Sequence, residues 1–209
     1  MHTPHTILTI GRQFGSGGRE IGKKLADALN ITFYDKELIT LAAHESGLCP
    51  EVFEKADEKA SAGLSHVLSI GMPYVGNYYT PYADILSNEG LFKIQSDVIR
   101  KLAETESCVI VGRCADYILR NNPRCISFFI HDKIEERIQR TAARLQITAG
   151  EAKERIVKTD KSRAAYYDYF TNKTWGMSSS YHFSIEASAL GIDETVRFMI
   201  HFIEHYGER

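Results

Sequence analysis

Short apolar runs alternate with amphipathic stretches along most of this chain. Five of the runs are rich in β-branched or aromatic residues and have the length of strands. They cover residues 6–10, 31–35, 108–112, 125–131 and 181–187. Continuous apolar strands that are separated by helices are typical of a parallel sheet covered on both faces. The pattern therefore predicts an α/β fold with five parallel strands.

Helical periodicity and capping signals account for the segments between these strands. Asn30 can end a first helix, because asparagine tolerates the left-handed conformation that is common at helix C-termini. Asp132 with Glu135, and Thr148 with Glu151, each have the spacing of a capping box at a helix N-terminus. The predicted helices cover about residues 17–29, 133–145, 149–169 and 193–205.

Two segments exceed what a minimal sheet-and-helix core needs. Residues 38–95 are rich in Gly, Ser, Pro and Tyr, which predicts an inserted helical substrate module with a mobile loop. Residues 148–177 form a second insertion with many basic side chains. These are Lys153, Arg155, Lys158, Lys161 and Arg163. We therefore expect a single domain over residues 1–209 with a basic lid at residues 148–177. Its core would comprise residues 1–37, 96–147 and 178–209.

Composition is that of an ordinary soluble protein. The 209 residues are 44 % hydrophobic and 25 % charged, with a formal net charge of −2, so we expect no nucleic-acid partner. No window of about 18 uninterrupted apolar residues predicts a membrane span, and residues 1–5 lack the features of a signal peptide. We expect a cytoplasmic protein whose cysteines are buried free thiols. The cysteines are Cys49, Cys108, Cys114 and Cys125.

A glycine-rich segment, GRQFGSGGRE at residues 11–20, lies between the first strand and the first helix. Backbone amides in such a turn, together with the helix dipole, can hold phosphate groups. The usual pattern, G-x-x-x-x-G-K-[ST], places a lysine on the β and γ phosphates and a hydroxyl on magnesium. Here Gly18 occupies the lysine position and Arg19 the hydroxyl position, and Gly11 stands one residue too far upstream.

Three interpretations of this segment compete. In the first, it is a variant phosphate loop in which Arg12, Arg19 or Lys23 supplies the missing cation, since arginine can bind a phosphate through two hydrogen bonds. In the second, it belongs to a dinucleotide-binding fold with Asp35 as the ribose-binding acid, although its G-x-G-x-x-G fingerprint is interrupted. In the third, it is a tight glycine turn that binds nothing.

Four short motifs resemble those of one known family. They are GSGGREIGKKLADAL at residues 15–29, YDKELI at 34–39, VIVGR at 109–113 and DKSR at 160–163. They are similar to the phosphate loop, the segment after the second strand, the Gly-Arg pair and the D-x-x-R lid motif of nucleoside monophosphate kinases, most closely of the cytidylate kinase-like family. The resemblance implies a three-layer P-loop kinase fold, with a parallel five-stranded sheet in the order 2-3-1-4-5.

The resemblance also implies a reaction, which is ATP-dependent phosphoryl transfer to a nucleoside monophosphate, with CMP or dCMP favoured and with ATP and Mg²⁺ as cofactors. The residues that would cradle ATP are Gly15, Ser16, Gly17, Gly18, Arg19 and Glu20. Those that would hold the acceptor are Asp35, Arg113, Asp160 and Arg163. Those that would act on the transferred group are Arg140, Arg144 and Arg163, with Arg12 or Arg19 in place of the lysine. Ser16 is the side chain assigned to magnesium.

The chain departs from the family pattern at three places. Cys114 replaces the aspartate that follows the Gly-Arg pair, with Asp116 two residues on, the loop lysine is lost, and residues 38–95 match the family weakly. Because of the weak match at residues 38–95, the same scaffold could phosphorylate another small molecule. It could also be a nucleotide-binding regulator without turnover. The sequence leaves the oligomeric state open.

Basic residues recur at helical spacing after the fourth strand. Arg137, Arg140 and Arg144 lie beside an apolar stripe on the same helix. The apolar stripe consists of Ile134, Ile138 and Leu145. The arginines either contact the phosphates or form a solvated basic face, and Arg140 and Arg144 are favoured as ligands because they lie nearer the lid. Asp160 and Arg163 could likewise be a simple surface pair.

Overall fold

The computed structural model describes residues 6–35 and 88–206, together with the isolated positions 41 and 44. Most of the insertion expected at residues 38–95 lies outside the described residues, as does Cys49. The helix over Asn88–Thr105 crosses residue 95, where we expected the insertion to end. The proposed division into core, insertion and lid therefore stays a prediction.

Five parallel strands form the central sheet, in the order β2-β3-β1-β4-β5 that the resemblance implied. The strands are β1 (Ile7–Arg12), β2 (Thr32–Tyr34), β3 (Cys108–Val111), β4 (Cys125–His131) and β5 (Phe183–Glu186). β1 lies in the middle, where Ile7 pairs with Cys108 on one side and with Cys125 on the other. The segments that carry the glycine loop, Asp35 and Arg113 all leave the sheet at its carboxyl edge.

Helices cover both faces of the sheet, and we number those that the structure describes in chain order. They are α1 (Gly18–Leu29), α2 (Asn88–Thr105), α3 (Ala115–Ile118), α4 (Ile134–Leu145), α5 (Ala149–Thr171), α6 (Ala187–Leu190) and α7 (Ile192–His205). Because successive strand side chains point to opposite faces, Ile7 packs with α2 and α3, whereas Leu8 packs with α1 and α7. The three-layer P-loop kinase fold is confirmed.

Two of the three predicted helix ends are confirmed and one is wrong. Asn30 ends α1 in the left-handed conformation, and Thr148 with Glu151 forms a complete capping box on α5. Asp132 does not cap α4, whose N-cap is Lys133 with no side-chain bond. The carboxylate of Asp132 accepts hydrogen bonds from Arg140 and from the Ser188 amide instead.

Helix α4 buries a different face from the one that its apolar residues indicate. Ile134 and Leu145 are 36 % and 38 % exposed, whereas Arg137 is only 5 % exposed. Arg137 and Arg140 therefore turn toward the protein, where carbonyl groups of the glycine loop accept their hydrogen bonds, whereas Arg144 is exposed. This excludes a solvated basic face for Arg137. No helix in the described part of the chain is long and apolar enough to span a membrane.

Candidate active site

The glycine loop runs over the carboxyl end of β1 and leads directly into α1. Gly15 and Gly17 have φ angles of +77° and +84°, in the left-handed region that favours glycine. At Gly15 a Cβ would also lie 2.5 Å from Thr141 Oγ1 and 2.9 Å from the Arg137 carbonyl. The loop therefore passes closely beneath α4, and a side chain at Gly15 would force them apart.

Side chains of β1 and β4 occupy the space that a side chain at the lysine position of the loop would need. A Cβ at Gly18 would lie 2.6 Å from Arg12 Cβ and 3.2 Å from Ile130 Cβ. Both neighbours are the fixed first atoms of their side chains, so neither can rotate away. A lysine at position 18 has no room, because the stem of Arg12 occupies that space. The position of Arg12 thus explains why the loop has glycine rather than lysine at position 18.

A cavity of about 1,020 Å³ opens above this loop. The lining residues that the structure describes include eight basic side chains and two acidic ones. The basic ones are Arg12, Arg19, Lys23, Lys24, Arg113, Arg140, Arg144 and Arg163, and the acidic ones are Glu20 and Asp35. We call this the phosphate cavity. Its excess of cations contrasts with the net charge of −2 of the whole chain and gives the cavity a potential that attracts anions.

Asp35 joins the two arginines that could replace lysine. Its carboxylate lies 2.6 Å from Arg19 Nε and 3.9 Å from Arg12 Nη2. The side chain of Arg19 is 58 % exposed, whereas that of Arg12 is 22 % exposed. Burial and the nearby charge of Arg163 lower the pKa of Arg12, although Asp35 opposes the shift. A negative charge bound beside Arg12 would oppose this shift and stabilise the charged guanidinium.

Residues of α4 and α5 hold the backbone of Phe14, in the middle of the loop. The Phe14 amide donates to Asp160 Oδ1 at 2.8 Å, and its carbonyl accepts from Arg137 Nε at 2.9 Å. Arg137 and Asp160 also form an ion pair with each other. We call these three residues the Phe14 clamp. It fixes the loop to the helix that we expected to be the lid.

Asp160 and Arg137 make contacts in the Phe14 clamp that the sequence analysis did not predict. Asp160 does not line the phosphate cavity among the described residues and does not pair at the surface with Arg163. Its acceptor-binding role stays a prediction. Arg137 was the least favoured arginine of its stripe, yet it is the most buried and the one that binds the loop.

The Phe14 side chain brings two arginines together over the loop. The guanidinium carbons of Arg144 and Arg163 lie 5.2 and 5.6 Å from the centre of its ring, within the range of cation–π attraction. Arg163 also donates to the Arg12 carbonyl at 3.0 Å. Both arginines thereby reach the phosphate cavity, as the sequence analysis expected, but through a phenylalanine that it did not single out.

Arg140 is fixed between the loop and the end of β4. It donates to the Gly15 carbonyl at 2.6 Å and to Asp132 Oδ2 at 3.1 Å. Burial alone would raise the pKa of Asp132, but hydrogen bonds from Ser188 and Arg140 outweigh it and lower that pKa. An ionised Asp132 therefore anchors Arg140 at the cavity wall.

The hydroxyl of Ser16 turns away from the phosphate cavity. Ser16 is fully buried, and its hydroxyl donates to the Gln13 carbonyl at 3.0 Å and accepts from the Gly18 amide at 3.4 Å. This orientation differs from the expectation that Ser16 binds magnesium, because the hydroxyl would first have to break both hydrogen bonds. It stabilises the loop turn instead. Glu20 lines the cavity, with Lys24 Nζ at 3.4 Å from its carboxylate.

Arg113 follows β3 at a second sharp turn. Arg113 and Cys114 have φ angles of +57° and +54°, which are uncommon outside glycine. Gly112 precedes them, also in the left-handed region, and any side chain there would collide with the Arg12 guanidinium. The turn therefore places Arg12 and Arg113 side by side at the cavity wall.

A second, smaller cavity of about 240 Å³ lies behind three of these arginines. It shares Arg12, Arg113 and Arg163 with the phosphate cavity. Four aromatic residues also line it, and we call it the aromatic cavity. The aromatic residues are Tyr166, Tyr167, Trp175 and Tyr181. The sequence analysis did not predict this cavity, because its aromatic residues come from α5, the turn after it and the start of the fifth predicted strand, which only the fold brings together with β1 and the turn after β3.

Comparisons with known proteins agree with this geometry. The sequence profile of the cytidylate kinase-like family matches residues 7–189, and no curated protein sequence matches the chain. The structure of an uncharacterized protein from Eubacterium ventriosum ATCC 27560 is 29 % identical, with a TM-score of 0.72. The match covers 96 % of this chain and 99 % of the other.

Two kinase structures are similar at lower identity. A shikimate kinase from Bacteroides thetaiotaomicron is 14 % identical with a TM-score of 0.54, over 95 % of this chain and 98 % of its own. A gluconokinase from Sinorhizobium meliloti 1021 is 15 % identical with the same TM-score, over 98 % of this chain and 94 % of its own. These two likenesses concern the fold alone. Because the family profile covers most of the sequence, the chain belongs to the cytidylate kinase-like family.

Proposed function

We propose that this protein transfers a phosphoryl group from ATP to a small-molecule acceptor. We propose further that the acceptor is a nucleoside monophosphate, with CMP and dCMP as the favoured candidates. The observation that carries the proposal is the phosphate cavity, in which a glycine loop and eight basic side chains surround one space. Backbone amides at a helix N-terminus and converging arginines are what a triphosphate requires. Membership of the cytidylate kinase-like family supports the choice of acceptor.

In this proposal the chain positions reactants and neutralises charge. Phosphoryl transfer needs little covalent help from the protein, because an oxygen of the acceptor phosphate is itself the nucleophile. The glycine loop would bind the ATP phosphates, and Arg113 would hold the acceptor phosphate. Arg12 and Arg163 stand between the two cavities, where negative charge develops during transfer. Arg140 and Arg144 would bind the phosphates from α4.

Magnesium would enter with ATP and would screen the charge of its phosphates. The cavity lining offers Mg²⁺ the carboxylates of Glu20 and Asp35, and Ser16 is buried away from it. Mg²⁺ commonly keeps several waters and one or two carboxylates beside the phosphate oxygens. The residues present therefore fit a magnesium ion held mainly by nucleotide and water.

The test is ADP release from Mg-ATP in the presence of CMP, dCMP and a panel of other small-molecule acceptors. We expect turnover with CMP that falls by about 100-fold or more in Arg113→Ala, because a charge that binds the acceptor phosphate is removed. Arg197→Ala is the matched control, since Arg197 is an exposed arginine of α7 paired with Glu194. ATP binding without ADP release for any acceptor would overturn the proposal and would favour a non-catalytic regulator.

A further inference from the structure

Three side chains that can bind a metal ion lie together on the exposed side of α7, at its C-terminal end. They are those of His201, Glu204 and His205, and one ligand atom from each lies within 4.8 Å of the other two. We call this group the α7 triad. Helix geometry produces it, because residues three and four positions apart lie on the same face of a helix. The triad therefore offers two imidazole nitrogens and one carboxylate oxygen to a single ion.

The ring of His205 is oriented by a hydrogen bond that leaves one nitrogen available. Its Nδ1 lies 2.8 Å from the carbonyl oxygen of His201, one turn earlier in the helix. A carbonyl oxygen can only accept, so Nδ1 carries the proton and Nε2 keeps its lone pair. Histidines that bind a metal through one nitrogen almost always donate from the other to a carbonyl or carboxylate group. His205 thus already has the outer contact that a metal-binding histidine needs.

The surroundings of the triad favour a cation. The last carbonyl groups of a helix carry partial negative charge, and α7 ends at His205. Glu204 adds a carboxylate to the same end of the helix. All three side chains are exposed, so water has access to complete the coordination, as in zinc sites that have three protein ligands and a water. Imidazole nitrogens suit Zn²⁺, whereas Mg²⁺ prefers oxygen ligands alone.

We propose that the α7 triad is a binding site for a divalent transition-metal ion such as Zn²⁺, separate from the place where Mg-ATP would bind. Ile192, at the start of α7, packs against Gly17 of the glycine loop. His201 lies about 14 Å further along the helix, at ~1.5 Å per residue. The ion would join successive turns at the far end of α7 and would not touch the phosphates. This inference does not depend on the proposed function.

Titration calorimetry with zinc chloride, without nucleotide, measures binding to the triad. We expect the affinity for Zn²⁺ to fall by about 10–100-fold in His205→Ala, because the loss of an outer contact alone typically costs this much. His44→Ala is the matched control, since it removes an exposed histidine outside the triad, and its affinity should match the wild type. No binding by the wild type, or equal affinities in all three proteins, would overturn the proposal.

Glu204→Gln is a second variant in case His205→Ala does not fold. It removes the charge and keeps the length of the side chain, so Zn²⁺ should again bind at least about tenfold more weakly. An affinity for Zn²⁺ that is unchanged in Glu204→Gln would remove the carboxylate from the site and contradict the triad.

The ring nitrogens of the histidines report where the ion binds. We expect Zn²⁺ to shift the Nε2 resonance of His205 in nitrogen NMR spectra, while Nδ1 keeps its proton. An excess of Mg²⁺ of about 100-fold should not reverse this shift, because Mg²⁺ is a poor partner for imidazole. Unchanged resonances of His201 and His205 at saturating Zn²⁺, or full reversal by Mg²⁺, would contradict a site built on these histidines.

Discussion

At the scale of single residues, Gly18 and Arg12 explain how a phosphate loop can lack its lysine. Restoring that lysine should harm the protein, because a Cβ at position 18 would lie 2.6 Å from Arg12 Cβ. We expect Gly18→Lys to lower the free energy of unfolding by about 1–3 kcal/mol, the usual range for overpacking. Urea denaturation measures this change.

The double variant Gly18→Lys with Arg12→Gly is the control for that prediction, since it removes the Arg12 Cβ. It should recover part of the lost stability. If Gly18→Lys is as stable and as active as the wild type, the space above the loop is not filled as we describe.

Arg12 and Arg19 should differ in their effects on catalysis. Arg12 is partly buried between the two cavities, whereas Arg19 is exposed and bound to Asp35. We expect Arg12→Ala to lower kcat by about 100-fold or more, as for the loss of a preorganised charge, and Arg19→Ala to lower it by less than about tenfold. Steady-state ADP release measures both. The reverse order would identify Arg19 as the replacement for lysine.

At the scale of elements, the Phe14 clamp connects the glycine loop to α4 and α5. Asp160→Ala would leave the buried Arg137 without its ion-pair partner and the Phe14 amide without its acceptor. We expect a loss of about 3–5 kcal/mol in the free energy of unfolding, measured by urea denaturation, and a higher KM for ATP. Lys161→Ala, at an exposed position of α5, is the control. Equal effects of the two substitutions would contradict the clamp.

Asp132 follows β4 and connects it to two helices, because its carboxylate accepts hydrogen bonds from Arg140 of α4 and from the Ser188 amide of α6. Because its pKa is lowered in the folded protein, ionised Asp132 contributes stability above its unfolded pKa of about 3.9, and this contribution is lost as the pH falls through the folded value. We expect Asp132→Asn to cost about 1–3 kcal/mol at pH 7 and less at acid pH. A cost that does not depend on pH in urea denaturation would show that charge is not the cause.

Two helices show where the hydrophobic pattern of the sequence is sufficient to predict the buried face and where it is not. In α7, helical periodicity accounts for the buried face, since Val196 and Met199 lie three positions apart and both are buried. In α4 the same reasoning fails, because Arg137 and Arg140 donate to carbonyl groups of the glycine loop, which is far from α4 in sequence. Periodicity identifies the faces of a helix, but the partners of those faces decide which one is buried.

At the scale of the whole molecule, charge is unevenly distributed. The chain has a net charge of −2, yet the phosphate cavity is strongly basic. We expect inorganic tripolyphosphate at about 100 times its Kd to raise Tm by roughly 5–10 °C, and added salt to weaken the effect. Thermal denaturation of the wild type and Arg140→Ala measures this, with Arg197→Ala as control. A shift that is unchanged by salt or by Arg140→Ala would contradict the electrostatic account.

The sheet and its order were predictable because long apolar runs and short motifs specify a known arrangement of strands. The glycine loop and Arg113 were recognisable for the same reason, since each is a local motif beside a strand. The Phe14 clamp and the aromatic cavity were not, because each depends on contacts between residues far apart in sequence. The orientation of Ser16 was not either, because its local hydrogen bonds to Gln13 and Gly18 depend on the conformation of the loop, which the motif does not specify. Cys114 and Asp116 illustrate this, since only the fold shows that Asp116 reaches Tyr167.

The most direct test of the account is ADP release from Mg-ATP with CMP by the wild type and by Arg12→Ala. We predict turnover by the wild type that depends on CMP and falls by about 100-fold or more in the variant, with Arg197→Ala unchanged. No CMP-dependent ADP release by the wild type, or full activity in Arg12→Ala, would contradict the claim that this loop transfers phosphate with an arginine in place of lysine.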